Sequence, residues 1–103
     1  MNGNLKINGR PIAGGALRLV LEGTLDHGGA HHLAQHLGAL QDRALVIDFS
    51  QLREVSDLAL GLVARPLRAH PQLRVTGLRD HGRRILRAFG VSLLDTGAVR
   101  DAA

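Results

Sequence analysis

The sequence predicts an α/β domain built on a mostly parallel sheet. From residue 16 onward, strand-like and helix-like segments alternate with short connections, and right-handed crossovers would place successive strands side by side. The chain has 103 residues, of which 45% are hydrophobic, enough for one buried core and too few for two. We therefore expect a single domain over residues 1–103.

Two N-terminal strands are predicted to pair antiparallel. Residues 5–7 alternate between apolar and polar side chains, and residues 8–11 contain the glycine and proline of a turn. Residues 16–22 then alternate as a half-covered strand does. Their apolar face carries Leu17, Leu19 and Leu21.

The first predicted helix spans residues 30–40. Asp26 stands before it, where a carboxylate can accept hydrogen bonds from free helix amides. Apolar residues recur at the helical period. They are Ala30, Leu33, Ala34, Leu37 and Leu40.

A second strand–helix unit follows. Residues 44–47 form a continuous apolar run, typical of a strand covered on both faces, and we expect the strand to stop at residues 48–50. The next helix spans residues 58–69, with Ser56 or Asp57 as its cap. Pro66 is expected to end or kink that helix.

A third unit closes the pattern. Residues 73–76 form a short core strand, and residues 77–80 lead into a helix that ends at Gly90. The core-facing side chains of this helix are predicted to be Ile85, Leu86 and Phe89. Leu93 and Leu94 are expected to pack back on the sheet.

Composition excludes several functions. The chain has no cysteine, which excludes disulfides, thiolate metal sites and cysteine nucleophiles. The aromatic residues Phe, Tyr and Trp are represented by two phenylalanines alone, which are too few for stacking on single-stranded nucleic acid.

The sequence also lacks several motifs. We find no apolar run long enough to cross a bilayer, no secretory signal, no phosphate-binding loop and no catalytic triad pattern. A cytoplasmic, non-enzymatic protein that binds neither nucleic acid nor a cofactor is the expectation.

Two charged clusters have ordinary explanations. His32 and His36 are four residues apart, a spacing that lets two imidazoles reach one metal ion, but no third ligand is evident, so we expect a solvated face and no metal. His27 and His31 complete this cluster. A second cluster could hold an acidic partner or an anionic head group, although a solvated face explains it as well. It consists of Arg79, Arg83, Arg84 and Arg87.

The second helix carries more apolar residues than one core-facing stripe needs. They are Leu58, Ala59, Leu60, Leu62, Val63 and Leu67. Arg65 and Arg68 occupy the remainder of the helix. The surplus is either covered by a neighbouring helix or exposed as a patch that binds a partner.

Four segments, in order, carry a resemblance to a known family. They are LEGTLD at 21–26, LVIDFS at 45–50, VSDLALG at 55–61 and LRVTGL at 73–78, followed by RRILRAFGV at 83–91. The chain resembles the STAS domains of bacterial anti-sigma factor antagonists. That resemblance implies a mixed, mostly parallel sheet of four to five strands with helices packed mainly on one face. It also implies partner switching controlled by phosphorylation of a serine.

The chain departs from the family at that serine, where it has Leu58. A leucine has no hydroxyl to accept a phosphoryl group. Either Ser56 is a displaced acceptor, or the domain binds its partner without this switch. A second hypothesis, that the carboxylate of Asp57 imitates a phosphoserine, competes with the ordinary preference for an acid at a helix N-terminus.

The resemblance predicts a regulatory module that binds a protein, such as an anti-sigma kinase. The alternative is an accessory subunit of an ABC-type lipid transporter, which would bind an ATPase. In both cases the partner is expected at the start of the second helix and the loop before the first. The predicted contact residues are Asp26, Ser56, Asp57, Leu58, Ala59, Leu60 and Leu62.

Overall fold

The computed structural model describes residues 5–40, 43–70 and 72–93. These residues form four strands and three α-helices, with a short 3-10 turn at Ala13–Gly15. In chain order they are β1 (Leu5–Pro11), β2 (Leu17–Leu25), α1 (His27–Gly38), β3 (Leu45–Val55), α2 (Asp57–Arg68), β4 (Leu73–Thr76) and α3 (Asp80–Ala88). The alternation of strands and helices expected from the sequence is confirmed.

The four strands form one sheet in the order β1-β2-β3-β4. β1 and β2 pair antiparallel, as predicted, while β2–β3 and β3–β4 pair parallel. Leu19, Ile47 and Val75 lie side by side across the parallel part of the sheet and are almost fully buried. The mixed, mostly parallel sheet is therefore confirmed.

The helices cover the face of the sheet that carries these buried side chains. On the opposite face, the row formed by Arg18, Val46 and Arg74 is partly or fully exposed. The prediction that β3 is covered on both faces is therefore wrong at Val46, which is only half-buried. A β-branched residue fits a sheet that is covered on only one face equally well. An apolar run therefore does not by itself show whether one or both faces of the sheet are covered.

Strand β3 is longer than predicted. Instead of stopping at Asp48–Ser50, it continues to Val55. Two register shifts occur in this part of the sheet: β3 has one more residue than β2 between the pairs Val20–Asp48 and Glu22–Gln51, and again between Gly23–Leu52 and Thr24–Glu54. Such bulges bend a strand and redirect its side chains, and they have no simple signature in sequence.

Other element boundaries also differ from those predicted from the sequence. β1 continues through residues 8–11, predicted as a turn, because they pair with residues 17–20 of β2. α1 begins at His27, three residues before the predicted start, directly after the cap at Asp26. Pro66 lies inside the last turn of α2, which ends two residues later at Arg68.

The C-terminal helix required one correction. Leu86 is fully buried and Ile85 half-buried, but Phe89, predicted to face the core, follows the end of α3 with 52% of its surface exposed. Leu93 packs partly against the core, while Leu94 lies outside the described residues.

Among the helices that the structure describes, none is long and apolar enough to span a membrane.

Candidate partner-binding site

Ser56 caps the N-terminus of α2. Its backbone is extended, and its Oγ accepts a hydrogen bond from the Ala59 amide at 3.3 Å. The Ser56 amide donates to the Leu25 carbonyl at 2.9 Å, which fixes the start of α2 beside the end of β2. Of the two caps proposed from the sequence, the structure selects Ser56.

Asp26 performs the same role for α1 at the same edge of the sheet. Its Oδ1 accepts a hydrogen bond from the Gly29 amide at 2.8 Å. Leu25 pairs with Val55, so the residues that follow these two strand ends, Asp26 and Ser56, lie close together and border a common depression. Parallel strands produce this juxtaposition because their carboxyl ends share one edge of the sheet.

The predicted contact residues on α2 separate into two groups. Leu58 and Leu62 are exposed over 67% and 43% of their surfaces, although both are large and apolar. Ala59 and Leu60 are almost fully buried in the core, so their inclusion among the contact residues is corrected: their side chains support α2 and are not available to a partner. A helix turns by 100° per residue, and this separates neighbours in sequence between the two environments.

Asp57 makes a contact that the sequence did not reveal. Its Oδ2 lies 3.0 Å from the Nε2 of His81, near the start of α3, and both side chains are largely exposed. The carboxylate is also in the first turn of α2, where it is favourable to the helix dipole. No local pattern connects these residues, because they are 24 positions apart.

A groove of about 410 Å³ lies between the end of β3 and the first turns of α2 and α3. The polar side chains that line it include those of Arg53, Asp57, Arg79 and His81. The floor is built where Gly77 approaches β3: a Cβ on this residue would lie 2.5 Å from the Ser50 nitrogen. The groove adjoins the start of α2 and therefore belongs to the same surface.

Phe89 lies beside α2, a position that the sequence analysis did not predict. Its ring lies against Gly61 of α2, where an added Cβ would be 3.3 Å from the Phe89 Cζ. The Nη1 of Arg68 donates to the Phe89 carbonyl at 3.3 Å. The glycine at position 61 was the available signal, because a missing side chain on an otherwise apolar helix often marks a close approach.

The histidines of the cluster lie in two pairs along α1. The rings of His27 and His31 are 5.9 Å apart, and those of His32 and His36 are 5.4 Å apart, each pair meeting edge to face. All four side chains are exposed on α1. In the part of the chain that the structure describes, no group of three or more His, Cys, Asp or Glu residues could hold a metal ion.

One ion pair lies on the open face of the sheet. The Nη2 of Arg18 is 2.7 Å from the Oδ2 of Asp48, and the Ser50 amide donates to Asp48 Oδ1 at 2.8 Å. Burial alone raises the pKa of the Asp48 carboxyl, but the hydrogen bonds from Ser50 and the Arg18 guanidinium together outweigh it. The pKa of Asp48 is therefore below its ordinary value, and this carboxylate is a structural link between β2 and β3.

The fold of the described residues is that of a STAS domain. A family model described as "Mlab, STAS domain" matches residues 8–96, and the chain belongs to that family. No curated protein sequence matches the chain significantly.

Solved structures of anti-sigma factor antagonists share the fold. An anti-sigma factor antagonist from Mycobacterium paratuberculosis is similar with a TM-score of 0.65 and 22% identity, covering 94% of this chain and 95% of that one. The unphosphorylated form of the anti-sigma factor antagonist SpoIIAA is similar with a TM-score of 0.65 and 15% identity, covering 94% of this chain and 100% of that one. The chain is thus an antagonist-like STAS domain in its fold.

Proposed function

We propose that this protein is a regulatory module that binds another protein through the first turns of α2 and the Asp26 loop, in the manner of an anti-sigma factor antagonist. The observation that carries this proposal is the 67% exposure of Leu58 on a firmly capped helix. When a partner covers a large apolar side chain, binding is stabilised by about 25 cal/mol per Å² of buried apolar surface.

Phosphorylation at position 58 is not part of this proposal, because leucine cannot accept a phosphoryl group. Ser56 is a poor substitute acceptor, since its hydroxyl already caps α2. A phosphate there would also lie in a depression bordered by Asp26 and Glu54, where like charges repel. We therefore infer binding without the family's serine switch.

The test is co-purification of the tagged protein from its native cells, comparing wild type with Leu58→Asp and Ile12→Asp. Ile12 is the matched control because it is also an exposed large apolar residue, 39% exposed, but lies near the 3-10 turn. We expect a partner, identified by mass spectrometry, that is captured by wild type and Ile12→Asp and lost with Leu58→Asp. Equal capture by all three proteins would contradict the assignment of the surface.

A second candidate function is an accessory subunit of an ABC-type lipid transporter, which would contact an ATPase. The description of the matching family model as Mlab favours it, and so does the missing hydroxyl at Leu58. The same co-purification separates the two candidates: a kinase or sigma factor indicates the first, and an ATPase with a permease indicates the second.

Under either candidate, we propose one domain over residues 1–103 that acts in the bacterial cytoplasm by binding and not by catalysis. In the first case its role is signalling and transcription regulation.

A further inference from the structure

We propose that the partner contacts a larger surface than the start of α2, and that this partner presents carboxylates beside its apolar side chains. The surface, which we call the α2–α3 patch, consists of Leu58, Gly61, Leu62 and Arg65 of α2 together with Phe89. The inference rests on the proposed function for the participation of Leu58. It adds Phe89 as a second apolar anchor and specifies that the partner's surface is negatively charged.

Phe89 and α2 form a continuous apolar surface. Gly61 and Leu62 follow Leu58 by three and four residues, so both are helix-surface neighbours of Leu58. The Phe89 ring rests on Gly61, where even a methyl group would be 3.3 Å from the ring. The aromatic ring therefore extends the leucine pair sideways towards α3.

The backbone of Phe89 is held by several hydrogen bonds. Its amide donates to the carbonyls of Ile85 and Leu86 at 3.1 and 3.2 Å, and its carbonyl accepts from Arg68. Val91, which follows closely, is buried and anchors the chain beyond the ring. The backbone that carries the 52% exposed Phe89 side chain is thus held in place, which reduces the ordering that binding a partner would require.

The exposed apolar residues are concentrated in this patch. Among the residues that the structure describes, the large hydrophobic side chains classed as exposed are those of Ile12, Leu58, Leu62 and Phe89. All of them except Ile12 belong to the patch. Isolated exposed apolar residues are ordinary on a soluble protein, whereas a contiguous group marks an interaction surface.

The charges around the patch indicate the chemistry of the occupant. After Asp57, α2 has no acidic residue, and after Asp80 the same is true of α3. The exposed charged residues over these stretches are Arg65 and Arg68 on α2 and Arg84 and Arg87 on α3. A second copy of the chain would bring arginines face to face, which is unfavourable, whereas a partner with carboxylates around its apolar centre is complementary.

Two fluorescent helical peptides test the inference by anisotropy. Both have leucines at i, i+4 positions, and they differ only in having glutamate or lysine at the surrounding positions. We expect wild type to bind the glutamate peptide at least about tenfold more tightly, with affinity falling as salt is added. Phe89→Ser and Arg65→Glu should each weaken binding about tenfold, and Ile12→Ser should bind like wild type.

The outcomes separate this inference from the proposed function. If Leu58→Asp loses the native partner in co-purification while Phe89→Ser and Arg65→Glu retain both that partner and the peptide, the function stands and the enlarged patch is wrong. Absence of glutamate-peptide binding, or equal affinity for both peptides, overturns the acidic occupant. A concentration-dependent dimer in sedimentation that Phe89→Ser abolishes would identify a second copy as the occupant and also overturn it. Circular dichroism checks that every variant is folded.

Discussion

Gly77 is required by both its backbone angle and its surroundings. It has a φ of 75°, in the left-handed region, and a Cβ would lie 2.5 Å from the Ser50 nitrogen and 2.8 Å from the Ser50 Cα. The neighbouring atoms belong to the bulged part of β3 and cannot move independently. Gly14 has a φ of 78° but nothing within 4 Å of its Cβ position. Comparing substitutions at these two glycines therefore separates the cost of a left-handed backbone from the cost of steric overlap.

We expect Gly14→Ala to lower the free energy of unfolding by about 1–2 kcal/mol, the ordinary cost of a left-handed alanine. Gly77→Ala should cost more, because the overlap with Ser50 adds to the same strain. Urea unfolding of both variants measures the difference. Equal losses would show that β3 moves aside without cost and would contradict the close approach.

At the scale of elements, polar contacts fix the ends and the alignment of strands and helices. Ser56 and Asp26 cap α2 and α1, and Arg18 with Asp48 links β2 to β3 on the open face. The caps were predictable, because Ser and Asp before an apolar helical period are local signals. The ion pair was not, since its partners are 30 positions apart.

The Asp48 ion pair should make stability depend on pH. Its folded-state pKa lies below the unfolded value of about 3.9, so the unfolded chain binds more protons between the two values and stability rises with pH there. The contribution is complete above the unfolded value and is lost as pH falls through the folded value.

We expect wild type to be more stable than Asp48→Asn at pH 7 and to lose that advantage progressively below about pH 4. Chemical unfolding at a series of pH values between 2 and 7 provides the measurement, with Glu22→Gln as a control. Glu22 is a carboxylate of β2 that is hydrogen-bonded to Asn8 at an exposed position. A stability difference between wild type and Asp48→Asn that is independent of pH would contradict the assigned role.

At the scale of the whole molecule, tertiary packing determines which leucines of α2 stabilise the fold. Leu60 is 1% exposed and belongs to the core, whereas Leu58, two residues earlier, is 67% exposed. The two positions are chemically identical. Only their direction from the helix axis differs, and that places one among core residues from the sheet and helices and the other in solvent.

Leu60→Ala should therefore lower the free energy of unfolding by about 2–5 kcal/mol, as expected when a buried leucine leaves a cavity. Leu58→Ala should change it by less than about 0.5 kcal/mol. Thermal and urea unfolding check both values. A large loss with Leu58→Ala would mean that this side chain is covered in the folded protein, which would contradict its role in the α2–α3 patch.

The sequence by itself determined the order of strands and helices, the antiparallel start of the sheet, the caps at Asp26 and Ser56 and the surplus of apolar residues on α2. These properties depend on the period of the apolar residues and on neighbours within a few positions, so local interactions are sufficient to determine them. The tertiary structure decided the bulges of β3, the exposure of Phe89 and the Asp57–His81 contact. Each of these depends on residues distant in the chain, whose proximity exists only after the sheet has formed and the helices have packed against it.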